Sequence, residues 1–391
     1  MSGNDASLLG DFECGSDSGL DGTGLDIATK LEPSAVSELS EWAELAEAPE
    51  LTAGVSPEAA SQETASPATV AAAAEMWDGE RWSGPIYDGH FHLDRSGRHL
   101  AAVRDFVNAG GTGLCLVHKP SFDELPRTIE AVESAYSDTI AMADEVRSEF
   151  GILVRVILGP HPVVWAHQLE SLGQERATEL HLESVDAAIR HCKLGVAVAV
   201  GEVGRPHYPM PGDIAAAADE LFEEVLRRCA KAAVPVQLHL EDDGINTTKS
   251  IAKICDAAGL PRHRTVRHFA PPDISSDFTQ GIASSVNMGR DSVVQLVESI
   301  RQEQSFRSEQ VINSSLASLM TPCHMETDYM DDPSRPGAVL GPKTLPKRTH
   351  ALGRLLAKPE LEGGLGWSPG EVVDFLWHLH HVWPTFLYSE A

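Results

Sequence analysis

From Pro85 onward, short apolar runs alternate with stretches in which apolar residues recur every three or four positions. The runs are Ile86–His92, Gly113–His118, Ile152–Gly159, Gly195–Gly201, Val234–Leu240, Thr265–Phe269, Gln280–Val286 and Ser318–Asp328, the last with a weak centre. Short apolar runs bounded by turn residues predict buried strands. Between them, Leu100, Val103, Phe106 and Val107 fall on one helical face that Gly110–Gly111 closes. Val185, Ala188, Ile189 and Cys192 make a second such face, ended by Gly195. Leu221, Val225, Leu226 and Cys229 make a third, ended before Pro235. Strands alternating with helices predict a parallel sheet. Eight of them over roughly 300 residues fit a closed (β/α)8 barrel of the TIM type. A doubly wound open sheet is the alternative. It opens on a glycine-rich first turn, and Asp88-Gly89-His90-Phe91-His92 is not one.

The first 80 residues have a different texture. They are rich in Ser, Ala, Gly, Asp and Glu, carry Pro33, Pro49, Pro57 and Pro67, and contain Lys30 as their one basic residue. Too little apolar surface is present to offset the entropy of ordering. The expectation is a disordered acidic tail over 1–80 and a barrel domain over 84–391. The pattern leaves room for a short amphipathic helix around Ser37–Ala48, and Met76 is a second candidate start.

The formal net charge is −28. It argues against a protein that coats nucleic acid, which needs a basic face, and no basic stripe or aromatic platform for a polymer stands out. Arginines outnumber lysines, and with the acidity this points to a high-salt, halophilic cytoplasm. The six cysteines form no C-x-x-C pair, so buried free thiols are expected. No run of 18 apolar residues occurs, and a cytoplasmic location away from membranes is the expectation.

The polar residues that end the apolar runs change the picture. His90 and His92 stand two apart on one strand, so both imidazoles face the same way. Two neutral imidazoles side by side can chelate a transition metal, although alone they are equally two ordinary core histidines. Four further strand ends carry a ligand-type residue: Glu202, His239, His268 and Asp328. A carboxylate at the end of a buried strand is costly unless paired or ligated. The C-terminal mouth of a barrel is where such side chains converge.

The segments Asp88-Gly89-His90-Phe91-His92-Leu93-Asp94, Gly159-Pro160-His161-Pro162, Gly201-Glu202-Val203-Gly204, His239, His268 and Glu326-Thr327-Asp328 resemble the TatD-like branch of the amidohydrolase-type metal-dependent hydrolases. The resemblance covers about residues 86–330. The stretches after Glu202, His268 and Asp328 are similar to a largely archaeal branch of that group. It implies two divalent ions, of zinc, manganese or magnesium. His90 and His92 would hold the first, Glu202 would bridge, and His239 and His268 would hold the second. Asp328 would touch the first ion and position or deprotonate the attacking water. His161 would contact the substrate or act beside the leaving group. Two departures bear on the substrate: Leu240-Glu241-Asp242 stands where a basic residue usually follows His239, and Phe269-Ala270-Pro271-Pro272 replaces the usual sixth-strand sequence.

Arg95, Arg98, Lys119 and Arg205 lie in loops after the strands and are candidates for an anionic substrate, or simply solvated charges. His207 and Tyr208 follow Glu202 and are candidate substrate contacts. Asp88 either orients a histidine or pairs with an arginine. Glu326 is expected to be structural, and Asp331, Asp332 and Arg335 to lock a loop. The histidines of Trp377–Trp383 are expected at the rim of a closing helix. Gly363–Gly366 lacks the Lys-Ser/Thr of a phosphate cradle.

The activity expected is metal-dependent hydrolysis of a phosphodiester, DNase-like by resemblance, or of an ester or amide. The substrate would be small or terminally bound, with nucleic acid a possible source. A deacylase acting on a nucleic-acid-linked ester and a non-catalytic metal-binding barrel are the rivals.

Overall fold

The computed structural model describes residues 76–307, 315–332 and 340–389. The expected acidic tail falls on residues before these up to 75, but its last stretch, 76–80, is described: Trp77 is 3% exposed and packs in the core with Trp82, so the folded part begins ahead of the expected boundary at 84. Arg335 also lies outside the described residues. All described residues belong to one compact unit, Gln62–Ala391.

Eight parallel strands follow one another around the sheet: β1 (Tyr87–His92), β2 (Gly113–Val117), β3 (Leu153–Leu158), β4 (Ala199–Gly204), β5 (Val236–His239), β6 (Thr265–Ala270), β7 (Ala283–Asn287) and β8 (Cys323–Glu326). A two-residue β9 (Tyr329–Met330) follows β8 after Thr327 and Asp328 and pairs with β1 through Phe91↔Tyr329 and His92↔Met330. The strand order therefore returns on itself, and the fold is the (β/α)8 barrel. The longer helices are α1 (Leu100–Asn108), α2 (Ile129–Phe150), α3 (Pro162–Leu172), α4 (Gln174–Lys193), α5 (Gly212–Ala232), α6 (Ile245–Ala258), α7 (Ser292–Phe306), α8 (Thr344–Ala357) and α9 (Pro369–Trp377). No described helix is long and apolar enough to cross a membrane.

The core has two parts. Tyr87, Cys115, Val117, Ile157, Ala199, Val266 and Ala283 fill the lower barrel, and Leu387 and Tyr388 from the C-terminal turn plug it. The larger cluster lies between the strands and the helical ring. The closing segment is pinned by His380, whose Nδ1 accepts from Tyr87 N at 3.1 Å and whose Nε2 meets Thr349 Oγ1 at 3.0 Å. That ring is buried at the strand start rather than standing at a helix rim. Its neighbours His378 and His381 keep the expected partial exposure. The five described cysteines are free.

Element boundaries shift where the chain needs a turn. The fourth strand begins at Ala199, not Gly195, because Gly195 takes a left-handed conformation to end α4 (φ 72). It consequently runs through Glu202 to Gly204. The eighth begins at Cys323, since Leu316–Leu319 is a helical turn capped by Ser315.

The loop after β1 is fastened from β9. The buried Asp331 carboxylate accepts from the backbone N–H of Asp94 (3.2 Å), Arg98 (2.7 Å) and His99 (2.7 Å), and from the Tyr329 hydroxyl (3.1 Å). A Cβ on Gly97 would come within 2.5 Å of the same carboxylate, so the loop can close only on glycine. Asp331 does lock a loop, and it does so through backbone donors. Replacing it orphans buried N–H groups, each of which costs on the order of 1–3 kcal/mol. Asp331→Ala is expected to lower unfolding free energy by about 2–3 kcal/mol and to speed amide exchange over residues 94–99. A denaturation midpoint unchanged from the parent would refute the lock.

Candidate functional site

His90 and His92 arrive on β1, Glu202 on β4, His239 at the end of β5, His268 on β6, and Asp328 between β8 and β9. All six converge. Glu202 sits among them, only 4% exposed. Its Oε1 lies 3.4 Å from His90 Nε2, 3.9 Å from His92 Nε2 and 3.8 Å from His268 Nε2. Its Oε2 lies 3.5 Å from His239 Nδ1 and 3.6 Å from His161 Nε2. Asp328 Oδ1 is 3.9 Å from Nε2 of both His90 and His92. One carboxylate thus offers its two oxygens to two different sets of imidazoles. The resemblance pairs His268 with His239; here His268 Nε2 faces Oε1, on the side of His90 and His92.

Three irregularities in strand register aim these side chains. They fall between Asp88 and Phe91 on β1, between Val200 and Val203 on β4, and between Arg267 and Ala270 on β6. Each brackets a site residue: His90, Glu202 and His268. Bulges of this kind re-aim side chains beside active sites. Glycines make room for them. A Cβ on Gly89 would lie 2.0 Å from His324 Nδ1, and one on Gly159 would lie 2.8 Å from Gly201 N.

Hydrogen bonds fix which ring nitrogen is bare. His92 Nδ1 meets the carbonyl of Val117 at 3.0 Å and must donate to it, which leaves Nε2 as a lone pair. His268 Nδ1 is 3.0 Å from Glu326 Oε1, a close contact whose angle falls short of a hydrogen bond. The carboxylate still favours the proton there, leaving Nε2 bare. His239 Nε2 meets His207 Nδ1 at 2.7 Å, and its Nδ1 toward Glu202 is sealed without a hydrogen-bond partner. His161 is the reverse case. As the N-cap of α3 its Nδ1 accepts from Val163 N at 3.1 Å. In the neutral ring the proton must then sit on Nε2, facing Glu202.

Burial pushes His90, His92, His161 and His268 toward the neutral form. It pushes His92 down to about 3, with His90 adding to the effect, and His268 down to about 4. It also lowers His90 and takes His161 well below its usual value. Burial alone would raise the Glu202 carboxyl, but the attraction of any proton carried by His268, His90 or His161 outweighs it, and the carboxyl is held well below its usual range. The donor set is therefore imidazole nitrogens, those of His92 and His268 bare, around a buried carboxylate whose Oε2 has no hydrogen-bond partner. That chemistry fits a borderline divalent cation. Three triads qualify by proximity: His90, His92 and Glu202; His90, His268 and Asp328; His161, Glu202 and His239. The tautomer argument sets His161 apart as a hydrogen-bond donor.

Two further carboxylates support the cluster from beneath. Asp88 accepts from Thr327 N (3.0 Å), Thr327 Oγ1 (2.7 Å) and His90 N (3.3 Å), which ties β1 to the segment carrying Asp328. Glu326 accepts from Phe269 N (2.8 Å) and from the Ser285 hydroxyl. Burial pushes each of them up to about 7. Among the described residues no arginine pairs with Asp88, whose carboxylate instead holds His90 N and Thr327.

The loop cations are already engaged. Arg95 binds Asp138 (2.6 Å) and Glu145 (2.8 Å) on α2, and Lys119 binds Asp94 (2.6 Å). Arg205 binds Glu241 (2.8 Å) and Asp219 (3.2 Å). The other acid after His239, Asp242, pairs with the buried Arg267 at 2.8 Å. Sequence reasoning missed Arg267, Ser285 and Thr327: Ser285 and Thr327 bond to carboxylates on other strands, and Arg267 to the loop and helix after β5. It also missed two exposed aromatics: Phe122, 40% exposed with its ring 5.9 Å from that of His161, and Phe269, 55% exposed beside His268.

The profile of the family described as TatD related DNase matches residues 87–362. An uncharacterised protein of Methanocaldococcus jannaschii is 26% identical over 276 residues, covering 68% of this chain and 87% of that one. Among solved structures, a TatD homologue from Escherichia coli is 21% identical, covers 75% of this chain and 97% of its own, and superposes with a TM-score of 0.46. A TatD-like protein from Archaeoglobus fulgidus is 13% identical, covers 71% and 97%, and superposes with a TM-score of 0.40.

Carboxylates behind metal-binding histidines typically set affinity by a factor of about 10–100. Glu326→Gln keeps the shape and most acceptors but removes the charge behind His268. The expected result is divalent-ion binding weakened by roughly that factor at unchanged melting temperature, read by chelator competition. Affinity within twofold of the parent would mean that Glu326 only packs.

Proposed function

The chain belongs to the TatD-related DNase family, a family of hydrolases, and we propose that it is a two-metal hydrolase acting on a small or terminally bound substrate. The observation that carries this reading is the division of the Glu202 oxygens between two imidazole sets. His90, His92 and Asp328 would hold one ion, His239 the other, and Glu202 both. His268 faces Oε1 and would complete the set. Zinc, manganese and magnesium all remain candidates. A pair of divalent ions would supply Lewis acidity and lower the pKa of a bound water.

The protein's own groups do the rest. Asp328 Oδ1, beside His90 and His92 Nε2, accepts the proton of the attacking water. His161 presents Nε2–H and hydrogen-bonds the leaving oxygen as charge develops on it. His207 keeps the proton on His239 Nε2 and so the lone pair on Nδ1. It is therefore first a positioning residue, with substrate contact a second duty of its exposed ring. Arg95 and Arg205, paired as they are, would meet substrate only by releasing an acidic partner. A phosphodiester is the bond favoured by the family, ahead of an ester or amide. We place the reaction in a high-salt cytoplasm on composition alone.

Base and bridge can be separated. Asp328→Asn is expected to retain most bound metal and lose turnover by about a hundredfold or more. Glu202→Gln is expected to lose metal as well, because it removes the anion between two dications. Metal content by atomic emission and initial rates on a chromogenic phosphodiester check both. Equal metal loss in the two variants would make Asp328 chiefly a ligand.

Substrate size is tested at high salt, where long-range phosphate attraction is screened. Short oligonucleotides and small diesters should be cleaved, and a long duplex only slowly from its ends. Processive degradation of the duplex with no turnover of small probes would overturn the small-substrate reading.

A further inference from the structure

Beside the cluster, on the far side of His161, a cavity of about 660 Å3 opens between the β2–α2 loop, α2, α3 and α4. That volume lies within the roughly 300–1,000 Å3 of small-molecule sites. His161 lines it and is 3.6 Å from Glu202, so a group bound there would lie next to the cluster. Gln168 Nε2 donates to Pro126 O at 2.6 Å and holds the loop in place as a roof.

The floor is polar but uncharged. His181 is 4% exposed, has no hydrogen-bond or ion-pair partner among the described residues, and yet its nitrogens are not sealed. Its polar edge therefore meets the cavity that it lines, offering one donor and one acceptor. His118 stands close by. Thr139 gives its hydroxyl proton to Ala135 O (3.1 Å) and so accepts from His118 Nδ1 (2.9 Å), which leaves His118 Nε2 as a second acceptor. Burial keeps both rings neutral. The walls add Tyr136, Leu180 and Val164. The charged residues on the lining are Lys119, Glu124, Arg127 and Asp138. Glu124, Arg127 and Asp138 are exposed, and the partly buried Lys119 is held by Asp94.

We propose that this cavity is a subsite for the nucleobase of the terminal residue of the substrate, read by His181 and His118. A phosphate would find no cation in the floor. A planar, neutral ring with adjacent donors and acceptors on one edge matches a floor of one donor and two acceptors between apolar walls. Phe122, exposed beside His161, gives a ring face at the entrance on which a neighbouring base can stack. The proposal rests on the phosphodiester reading above and adds what the enzyme recognises next to the scissile bond.

The experiment compares thymidine 5′-(p-nitrophenyl phosphate) with bis(p-nitrophenyl) phosphate, which carries no base, in the metal-loaded parent and in His181→Leu. Binding of free deoxynucleosides and of deoxyribose is followed separately by saturation-transfer NMR. Leucine satisfies the apolar walls and leaves no unpaired polar group, so the variant should melt no lower than the parent. Expected are saturation transfer to the nucleosides but not to deoxyribose, and a rise in KM for the thymidine diester of about tenfold in His181→Leu, the loss of one good hydrogen bond. kcat, and both constants for the base-free diester, should hold. Equal KM changes for the two diesters, or nucleoside transfer undiminished in His181→Leu, would overturn the subsite while leaving the hydrolase standing. Nucleoside binding that depends on His181 with neither diester cleaved would overturn the hydrolase reading and keep the subsite.

Discussion

One carboxylate, Glu202, buried among imidazoles, governs this structure. An uncompensated buried anion costs several kcal/mol even after relaxation. Among the described residues no lysine or arginine pairs with Glu202; it meets only histidines. The fold also places Asp88 and Glu326 close by, both fully buried. These two respond in the ordinary way, with burial pushing each up to about 7. Glu202 alone is driven the other way. A buried carboxylate ringed by imidazole nitrogens is an arrangement that a divalent cation would balance.

The barrel is organised around delivering that arrangement. Its closure is a seam between β1 and the β8–β9 segment, and the same residues stitch the seam and set the site. Asp88 links His90 N to Thr327, immediately before Asp328. Asp331 reaches from β9 to the loop after β1. Asp328 itself adopts a left-handed backbone (φ 49), a conformation that aspartate tolerates better than most residues. Loosening the seam would therefore misplace His90, His92 and Asp328 together, which couples stability to site geometry.

Much of this was legible in the chain. Period-two spacing put His90 and His92 on one face, and repetition of ligand-type residues at apolar run ends marked Glu202, His239, His268 and Asp328. What could not be read is what register irregularities and cross-strand bonds decide. Nothing in Ala199-Val200-Gly201-Glu202 says that β4 shifts register there, and the role of Ser285 depends on Glu326 from the next strand. His161 shows the same limit in another form. A Gly-Pro-His-Pro sequence signals a helix start, but the tautomer that separates His161 from the metal-type histidines follows only from its cap bond to Val163. The cavity histidines had no sequence signal, since His181 lies mid-helix on an amphipathic face with no partner in the pattern.

The local charge balance also reads differently in three dimensions. Glu241 and Asp242, adjacent to His239, look in the sequence like a barrier to polyanions. Folded, each has its own arginine, Arg205 and Arg267, so the barrier is largely neutralised at the mouth. The same pairs occupy the cations that would otherwise attract phosphate. The mouth is thus neither repelling nor steering, and the chain's overall acidity acts at distances that salt screens beyond about 10 Å. On the hydrolase reading proposed above, discrimination among substrates would come from short-range fit: the histidine–carboxylate cluster for the scissile group, and the cavity beside His161 for whatever is attached to it. A protein built this way keeps its selectivity as ionic strength rises, because hydrogen bonds and apolar contacts inside a cavity are far less screened than exposed charges.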